Sequence, residues 1–375
     1  MWFDRDRHTE VTMESLAGID SKNAAYDLLH AGTVIPAHLL ALTATRTLDE
    51  QRQRALSRYY LDAGVGGLAV GVHTTQFAIR ERGMFERVLA IAAEESRTWT
   101  SRPIALVAGL IGDTAQARSE AQTATQLGYH AGLLNLAALK SWGEDRLLKH
   151  CRAIADEIPL IGFALLPEVG GFHLSFDFWR QFAEIDNVIA IKMAPFNRYR
   201  TLDIVRAVVA AKAEDRVTLY TGNDDHIILD LLQPFAIPRD GTTVTVRIRG
   251  GLLGHWSVWT HSAVQQFAEV TKERTSTPHH LLALDSVVTD CNSAIYDAAN
   301  NFAGCIPGCH EILRKQGLFE GVWCLDENET LSPGQLEEIN RVYAEHPQMN
   351  DDAFVRDNLP RWLGALPTSP QTTTQ

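Results

Sequence analysis

Short apolar runs alternate with helical segments along most of the chain, beginning near residue 30. Each apolar run ends in a polar or glycine-containing turn, and the segment after it has the apolar spacing of a helix buried on one side. Asp113, for example, supplies a helix cap, and Gly128 ends the helix that follows. The apolar runs cover residues 34–43, 66–72, 103–111, 131–137, 159–167, 187–195, 217–225 and 250–260. The helical segments cover residues 48–64, 80–95, 112–128, 144–158, 176–186, 201–215, 226–236 and 261–274.

This alternation predicts an α/β fold. The apolar runs are continuous, which is typical of parallel strands that are covered on both faces. Eight strand–helix units in succession predict a (β/α)8 TIM barrel. A doubly wound open sheet is the alternative, but no G-x-G-x-x-G motif opens a first helix. Residues 237–250 interrupt the order, because the period-two pattern of TVTVRIR predicts an inserted hairpin or an extended eighth strand.

The rhythm of strands and helices stops after residue 275. Helical patterns then dominate, in LLALDSVVTDCNSAIYDAANN, GCHEILRKQG and SPGQLEEINRVYAEH. We therefore expect an N-terminal extension (1–30), a barrel (31–275), a helical C-terminal subdomain (276–365) and a loose tail (366–375).

The sixth apolar run, VIAIKMAP, contains a single charged residue, Lys192. In a barrel, strand residues alternate between the interior and the helix layer, and functional groups gather at the carboxyl ends of the strands. Burial among apolar neighbours lowers the pKa of an amine, and a neutral amine can condense with a ketone to form an imine. The alternative is a lysine that extends to solvent or pairs with an acid such as Asp224.

Composition and charge narrow the classes of partner. The chain is 45% hydrophobic and 21% charged, as expected for a globular protein, and its net charge of −12 disfavours nucleic acid as a partner. No run approaches a membrane span, and the N-terminus is charged from residue 4 with no secretory apolar region. An odd, scattered set of cysteines predicts reduced thiols and a cytoplasmic location. These cysteines are Cys151, Cys291, Cys305, Cys309 and Cys324.

Several stretches together resemble the dihydrodipicolinate synthase / N-acetylneuraminate lyase family. They are GVGGLAVGV, VAGLIGDTAQA, IPLIGFALLP, NVIAIKMAP, TLYTGNDD and LRKQGLFEGVWCLDENETLSPGQLEEI, and their order covers residues 30–345. The resemblance implies that Lys192 forms a Schiff base with a 2-oxo acid, usually pyruvate. It also implies a lyase, either an aldolase or a dehydratase, that assembles as a dimer or tetramer. No metal or cofactor is expected.

The chain departs from the family pattern at the proton relay. Phe163 stands where the family has a strand-five tyrosine, and Glu168 follows Pro167 where an arginine is usual. Dihydrodipicolinate synthesis is therefore not the expected reaction. With the tyrosine gone, Glu168, His255 or His73 could move protons in its place.

The strand-two loop, which holds the substrate carboxylate in the family, reads GVHTTQ. Without a gap, Val72 and His73 replace the two family threonines; with a two-residue shift, Thr74 and Thr75 keep the role. Either register places polar groups at a strand end, and helix capping by a threonine is the structural alternative. The expected catalytic residues are Lys192, Glu168 and His255, and the expected substrate-binding residues are His73, Thr74, Thr75, Phe163 and Asn223.

Two other functions fit some of these residues. A metal-assisted hydrolase could use His38, His73, Asp224 and His255 as ligands in the barrel mouth, which leaves Lys192 unused. A barrel kept for binding alone would explain the missing tyrosine and arginine.

Overall fold

The architecture is taken from a computed structural model that describes residues 23–276 and 278–364. Most of the expected N-terminal extension and the whole of the expected tail lie outside the described residues. A helical segment at residues 23–31 leads into the first strand. No described helix has the length and apolar character needed to cross a lipid bilayer.

Within the described residues, eight parallel strands form a nearly closed barrel, which confirms the predicted fold class. Their order around the sheet is β1-β9-β7-β6-β5-β4-β3-β2, and a parallel bridge between Ala37 and Ala69 joins the two ends. The strands are β1 (Val34–Pro36), β2 (Gly67–Val70), β3 (Ala105–Leu110), β4 (Ala131–Leu134), β5 (Leu160–Leu165), β6 (Val188–Ala194), β7 (Thr218–Thr221) and β9 (Thr242–Leu253).

Helices between the strands form the outer layer. The helix after β3 begins at the cap that the sequence predicts, where Asp113 accepts hydrogen bonds from the N–H groups of Ala115 and Gln116. Asn197 caps the helix after β6 in the same way. These helices are α1 (Glu50–Ala63), α2 (Phe85–Thr98), α3 (Thr114–Gln126), α4 (Glu144–Ala155), α5 (Phe176–Ala183), α6 (Arg198–Ala210), α7 (Ile227–Leu232) and α8 (Thr260–Lys272).

Residues 237–250, for which the sequence predicts an inserted hairpin or an extended eighth strand, form both. The helix expected at 226–236 stops at Leu232, and β8 (Pro234–Arg239) pairs antiparallel with the first half of β9. The second half of β9 enters the barrel, where Gly251 and Leu252 pair with Val34 and Ile35. The alternating pattern of TVTVRIR therefore forms a hairpin whose second strand continues into the barrel.

The chain after the barrel is helical, as predicted. Its helices are α9 (His279–Ile295), α10 (Cys305–Lys315), α11 (Gln335–Glu345) and α12 (Asp352–Trp362). Helix α12 packs along α1, where the indole N–H of Trp362 donates to Asp62 at 2.6 Å and Arg58 donates to the Trp362 carbonyl at 2.7 Å.

Two buried apolar clusters follow the alternation of side chains along the strands. The inner cluster fills the barrel and includes Ile35, Ala190 and Tyr220, whereas the outer cluster lies between strands and helices and includes Ile191 and Met193. Lys192 stands two residues after Ala190, so the period-two rule places it on the barrel interior near the carboxyl end of β6.

Candidate functional site

The amine of Lys192 is buried against an aromatic ring. Phe163 pairs with Lys192 in the register of β5 and β6, and its ring centroid lies 4.3 Å from Lys192 Nζ. Only 8% of the residue is exposed. Among the described residues, no carboxylate oxygen lies within 4.0 Å of this amine. Desolvation lowers the pKa of Lys192 below the usual range of lysine, and the nearby Asp224 opposes that shift.

Asp224 is the acid that faces this amine from the end of β7. It is 6% exposed, and its Oδ1 has no hydrogen-bond partner among the described residues. Burial raises the pKa of Asp224, and both the Lys192 charge and a hydrogen bond from the His255 backbone N–H work against that rise. A buried amine and a buried carboxyl that do not form a direct ion pair can each exist in the neutral form near neutral pH.

His73 contributes to a narrow cavity beside Phe163. Burial and the charge of Lys192 lower the pKa of His73 to about 4, so the imidazole is neutral at pH 7. The cavity holds about 10 Å³, which is room for little more than one water molecule. Its lining is formed by Val72, His73, Phe77, Gly109, Leu110, Ile111, Leu133, Asn135 and Phe163.

The two threonines after His73 direct their hydroxyls to strand one. Thr74 Oγ1 donates to the Ala37 carbonyl at 2.8 Å, and Thr75 Oγ1 donates to the His38 carbonyl at 2.6 Å. Both side chains are buried. The structure therefore gives these hydroxyls partners in the scaffold, whereas His73 lines the cavity, which favours the register without a gap.

The hydrogen bonds and surroundings recorded for Glu168 and Asn223 do not involve the Lys192 amine. Glu168 is exposed and lines a different cavity, of about 340 Å³, between the loops that follow β5 and β6. The Asn223 side chain is almost fully buried and links the loop after β6 to α7. Its Oδ1 accepts from the Phe196 N–H at 3.0 Å, and its Nδ2 donates to Asp230 at 2.9 Å.

His255 sits at the end of β9 and is buried. Its Nδ1 lies 3.3 Å from the side-chain nitrogen of Asn292, and burial lowers its pKa to about 4. Its backbone, rather than its ring, contacts Asp224. Asn292 belongs to α9, and the sequence analysis did not predict that this helix contacts the mouth of the barrel. The polar residues at 285, 289, 292 and 296 share one face of the helix, and this pattern is the signal that could have predicted the contact.

The ligands suggested for a metal-assisted hydrolase do not converge. His38 is fully buried and contacts Ser57 Oγ at 2.8 Å and Gln53 Nε2 at 3.1 Å, on the side of α1. Across residues 23–276 and 278–364, the only group of three or more potential ligand atoms within 4.8 Å of one another lies elsewhere, at Asp290, Glu345 and His346. There Asp290 is already paired with Arg341.

Comparison with known proteins identifies the family. The sequence profile of the "Dihydrodipicolinate synthetase family" matches residues 30–287. The chain belongs to this family. It is also similar to the N-acetylneuraminate lyases of Enterobacter sp. (strain 638) and Citrobacter koseri, with 26% identity over 204 residues in each case. These alignments cover 53% of this chain and 65% of each relative, so the match spans just under two thirds of their length.

Solved structures support the fold at lower identity. The N-acetylneuraminate lyase from Fusobacterium nucleatum superposes with a TM-score of 0.65 at 18% identity, covering 84% of this chain and 99% of that protein. Dihydrodipicolinate synthase from Oceanobacillus iheyensis gives 0.66 at 17% identity, covering 88% of this chain and 99% of that one. The family members matched here are lyases.

Proposed function

We propose that this protein is a class I lyase that forms a Schiff base between Lys192 and a 2-oxo acid or related carbonyl compound. The observation that carries the proposal is the buried Lys192 amine, which has a lowered pKa and no ion-pair partner within 4.0 Å among the described residues. Family membership supports the same chemistry. The chain contributes the reactive group directly, so the proposal needs no cofactor.

The reaction would proceed through the neutral form of Lys192. The amine adds to the carbonyl carbon, the carbonyl oxygen leaves as water with the two protons of the amine, and one proton taken up from solvent converts the neutral imine into the protonated imine. The imine attracts electrons from the adjacent carbon, so that a carbon–carbon or carbon–oxygen bond one position further along can break. The Phe163 ring would limit the access of water to the amine, which favours the neutral form of Lys192 that this addition requires.

The substrate carboxylate would lie toward the strand-two loop. His73 is neutral at pH 7 and offers one N–H donor, and Asn135 lines the same cavity with a side-chain amide.

Replacement of the lysine tests the function. Purified protein would be assayed for release of pyruvate and for loss of water with a panel of 4-hydroxy- and 3-deoxy-2-oxo acids. We expect Lys192→Arg to lower turnover by at least about 1000-fold, because an always-charged guanidinium cannot form the imine. Lys149→Arg, on the exposed side of α4, is the matched control and should retain activity. Equal turnover in wild type and Lys192→Arg would contradict the proposal.

We also propose that the protein is a cytoplasmic homo-oligomer, a dimer or tetramer. The family resemblance supports this, and α6 presents two exposed large apolar side chains, Tyr199 at 82% and Leu202 at 39% exposure. A molar mass from light scattering equal to one 41.6 kDa chain would contradict the oligomer.

A further inference from the structure

Helix α9 runs along the catalytic end of the barrel. Two of its side chains contact the loop after β7: Asp285 Oδ1 accepts from the Leu229 N–H at 3.1 Å, and Thr289 Oγ1 donates to the Asp225 carbonyl at 3.1 Å. These positions are four residues apart, so they lie on one face of the helix.

The same face continues to the end of β9. Asn292 contacts the His255 ring, and Tyr296 follows one turn later. The Tyr296 hydroxyl lies so close to Gly254 that a Cβ on that glycine would stand 1.5 Å from it. Gly254 precedes His255, whose backbone N–H lies near Asp224 and favours its carboxylate form, which lowers the pKa of Asp224. The tyrosine hydroxyl therefore lies at the end of β9, beside the residue that precedes His255.

Two buried polar atoms at this point lack partners. Tyr296 is 8% exposed and Asp224 is 6% exposed, and neither Tyr296 Oη nor Asp224 Oδ1 bonds to a nitrogen or oxygen atom among the described residues. The Cys309 thiol lies beside the tyrosine, but a thiol is a weak partner. Asp224 interacts electrostatically with both Tyr296 and Lys192. Unpartnered buried polar atoms are costly and are often retained for function.

We propose that Asp224 exchanges the proton of the substrate bound at Lys192 and that Tyr296 is the positioning residue for Asp224, in place of the tyrosine missing from β5. This inference rests on the proposed function. In the step assigned to Asp224, the carboxylate removes a proton from the carbon next to the imine. The electrons of that carbon–hydrogen bond form a carbon–carbon double bond, and the carbon–nitrogen pair moves to nitrogen. An enamine and a neutral Asp224 result, and the reverse step returns a proton.

Deuterium exchange separates this step from imine formation. Wild type, Tyr296→Phe and Asp224→Asn would be incubated with pyruvate in D2O, and exchange at the methyl group would be followed by NMR. Borohydride trapping on parallel samples measures the imine. We expect Tyr296→Phe to slow exchange by at least about 10-fold at saturating pyruvate, with half-maximal trapping at an unchanged pyruvate concentration. Asp224→Asn should slow exchange further.

The melting temperature supplies an independent readout. Tyr296→Phe removes a buried hydroxyl that has no oxygen or nitrogen partner, so its melting temperature should be equal to or above that of wild type. Tyr129→Phe is the matched control: this tyrosine is also buried, but its hydroxyl donates to the Leu89 carbonyl at 3.0 Å. The control should lose stability and retain exchange.

The outcomes distinguish the two proposals. If wild type traps no pyruvate or other 2-oxo acid, the proposed function fails and this inference fails with it. If wild type forms the adduct and Tyr296→Phe exchanges deuterium as fast as wild type, the role of Tyr296 is wrong and the lyase proposal stands. Slow exchange in Tyr129→Phe as well would also overturn the inference, because the effect would then reflect general destabilisation.

Discussion

At the scale of single residues, the site depends on two buried groups whose charges influence each other. Burial alone favours the neutral form of both Lys192 and Asp224, and the attraction between them favours the charged form of both. The Phe163 ring adds a cation–π attraction that also favours the ammonium, about 0.5–2 kcal/mol. Desolvation is the largest effect, so a larger fraction of the Lys192 amine is neutral at pH 7 than in an exposed lysine.

Asp224→Asn should therefore make Lys192 titrate at lower pH. The carboxylate of Asp224 raises the pKa of the Lys192 amine, so removal of that charge lowers the pKa. The rate of borohydride trapping with a 2-oxo acid, measured from pH 5 to 10, reports the neutral amine. Its acid limb should shift to lower pH in the variant. A shift to higher pH would show that Asp224 does not stabilise the ammonium.

At the scale of secondary structure, a buried ion pair fixes the strand-two loop. Arg80 pairs with Glu120 at 2.8 Å, both groups are about one tenth exposed, and Arg80 also donates to the Gly71 and Gly109 carbonyls. The pair joins the ends of β2 and β3, between which His73 is presented. The ion pair and the two hydrogen bonds of Arg80 therefore fix the strand ends that surround the cavity lined by His73.

Glu120→Gln should destabilise the protein strongly, because it leaves the Arg80 guanidinium buried without a counter-charge. The expected loss in free energy of unfolding is about 3–5 kcal/mol. Glu184→Gln, which breaks the solvent-exposed pair with Arg180 on α5, should cost less than about 1 kcal/mol. Urea unfolding of the two variants measures both values. Similar losses in the two would contradict the importance given to the buried pair.

The sequence predicted the positions of the strands well, but it did not predict which groups the polar side chains at their ends would contact. Lys192 could be placed because a charged residue in an apolar run has few explanations, and the alternation of units fixed its strand. Thr74 and Thr75 could not be resolved, because a hydroxyl at a strand end bonds a substrate or a neighbouring carbonyl equally well. Tyr296 was out of reach, because its contact with Gly254 joins positions more than 40 residues apart across two elements.

At the scale of the whole molecule, the chain combines a family barrel with a C-terminal part that contacts the carboxyl ends of two barrel strands. Helix α12 packs on α1, whereas α9 packs against the segments that follow β7 and β9. The barrel thus supplies the Lys192 amine, and α9 covers the segments that follow β7 and β9.

The most direct test of the account is to locate the covalent adduct. Full-length protein would be reduced with borohydride in the presence of pyruvate and of other 2-oxo acids, digested, and mapped by tandem mass spectrometry. The account predicts one modified peptide, with the mass of the 2-oxo acid less one oxygen atom carried on Lys192, and no such adduct in Lys192→Arg. An adduct on another lysine, or none across the panel, would contradict it.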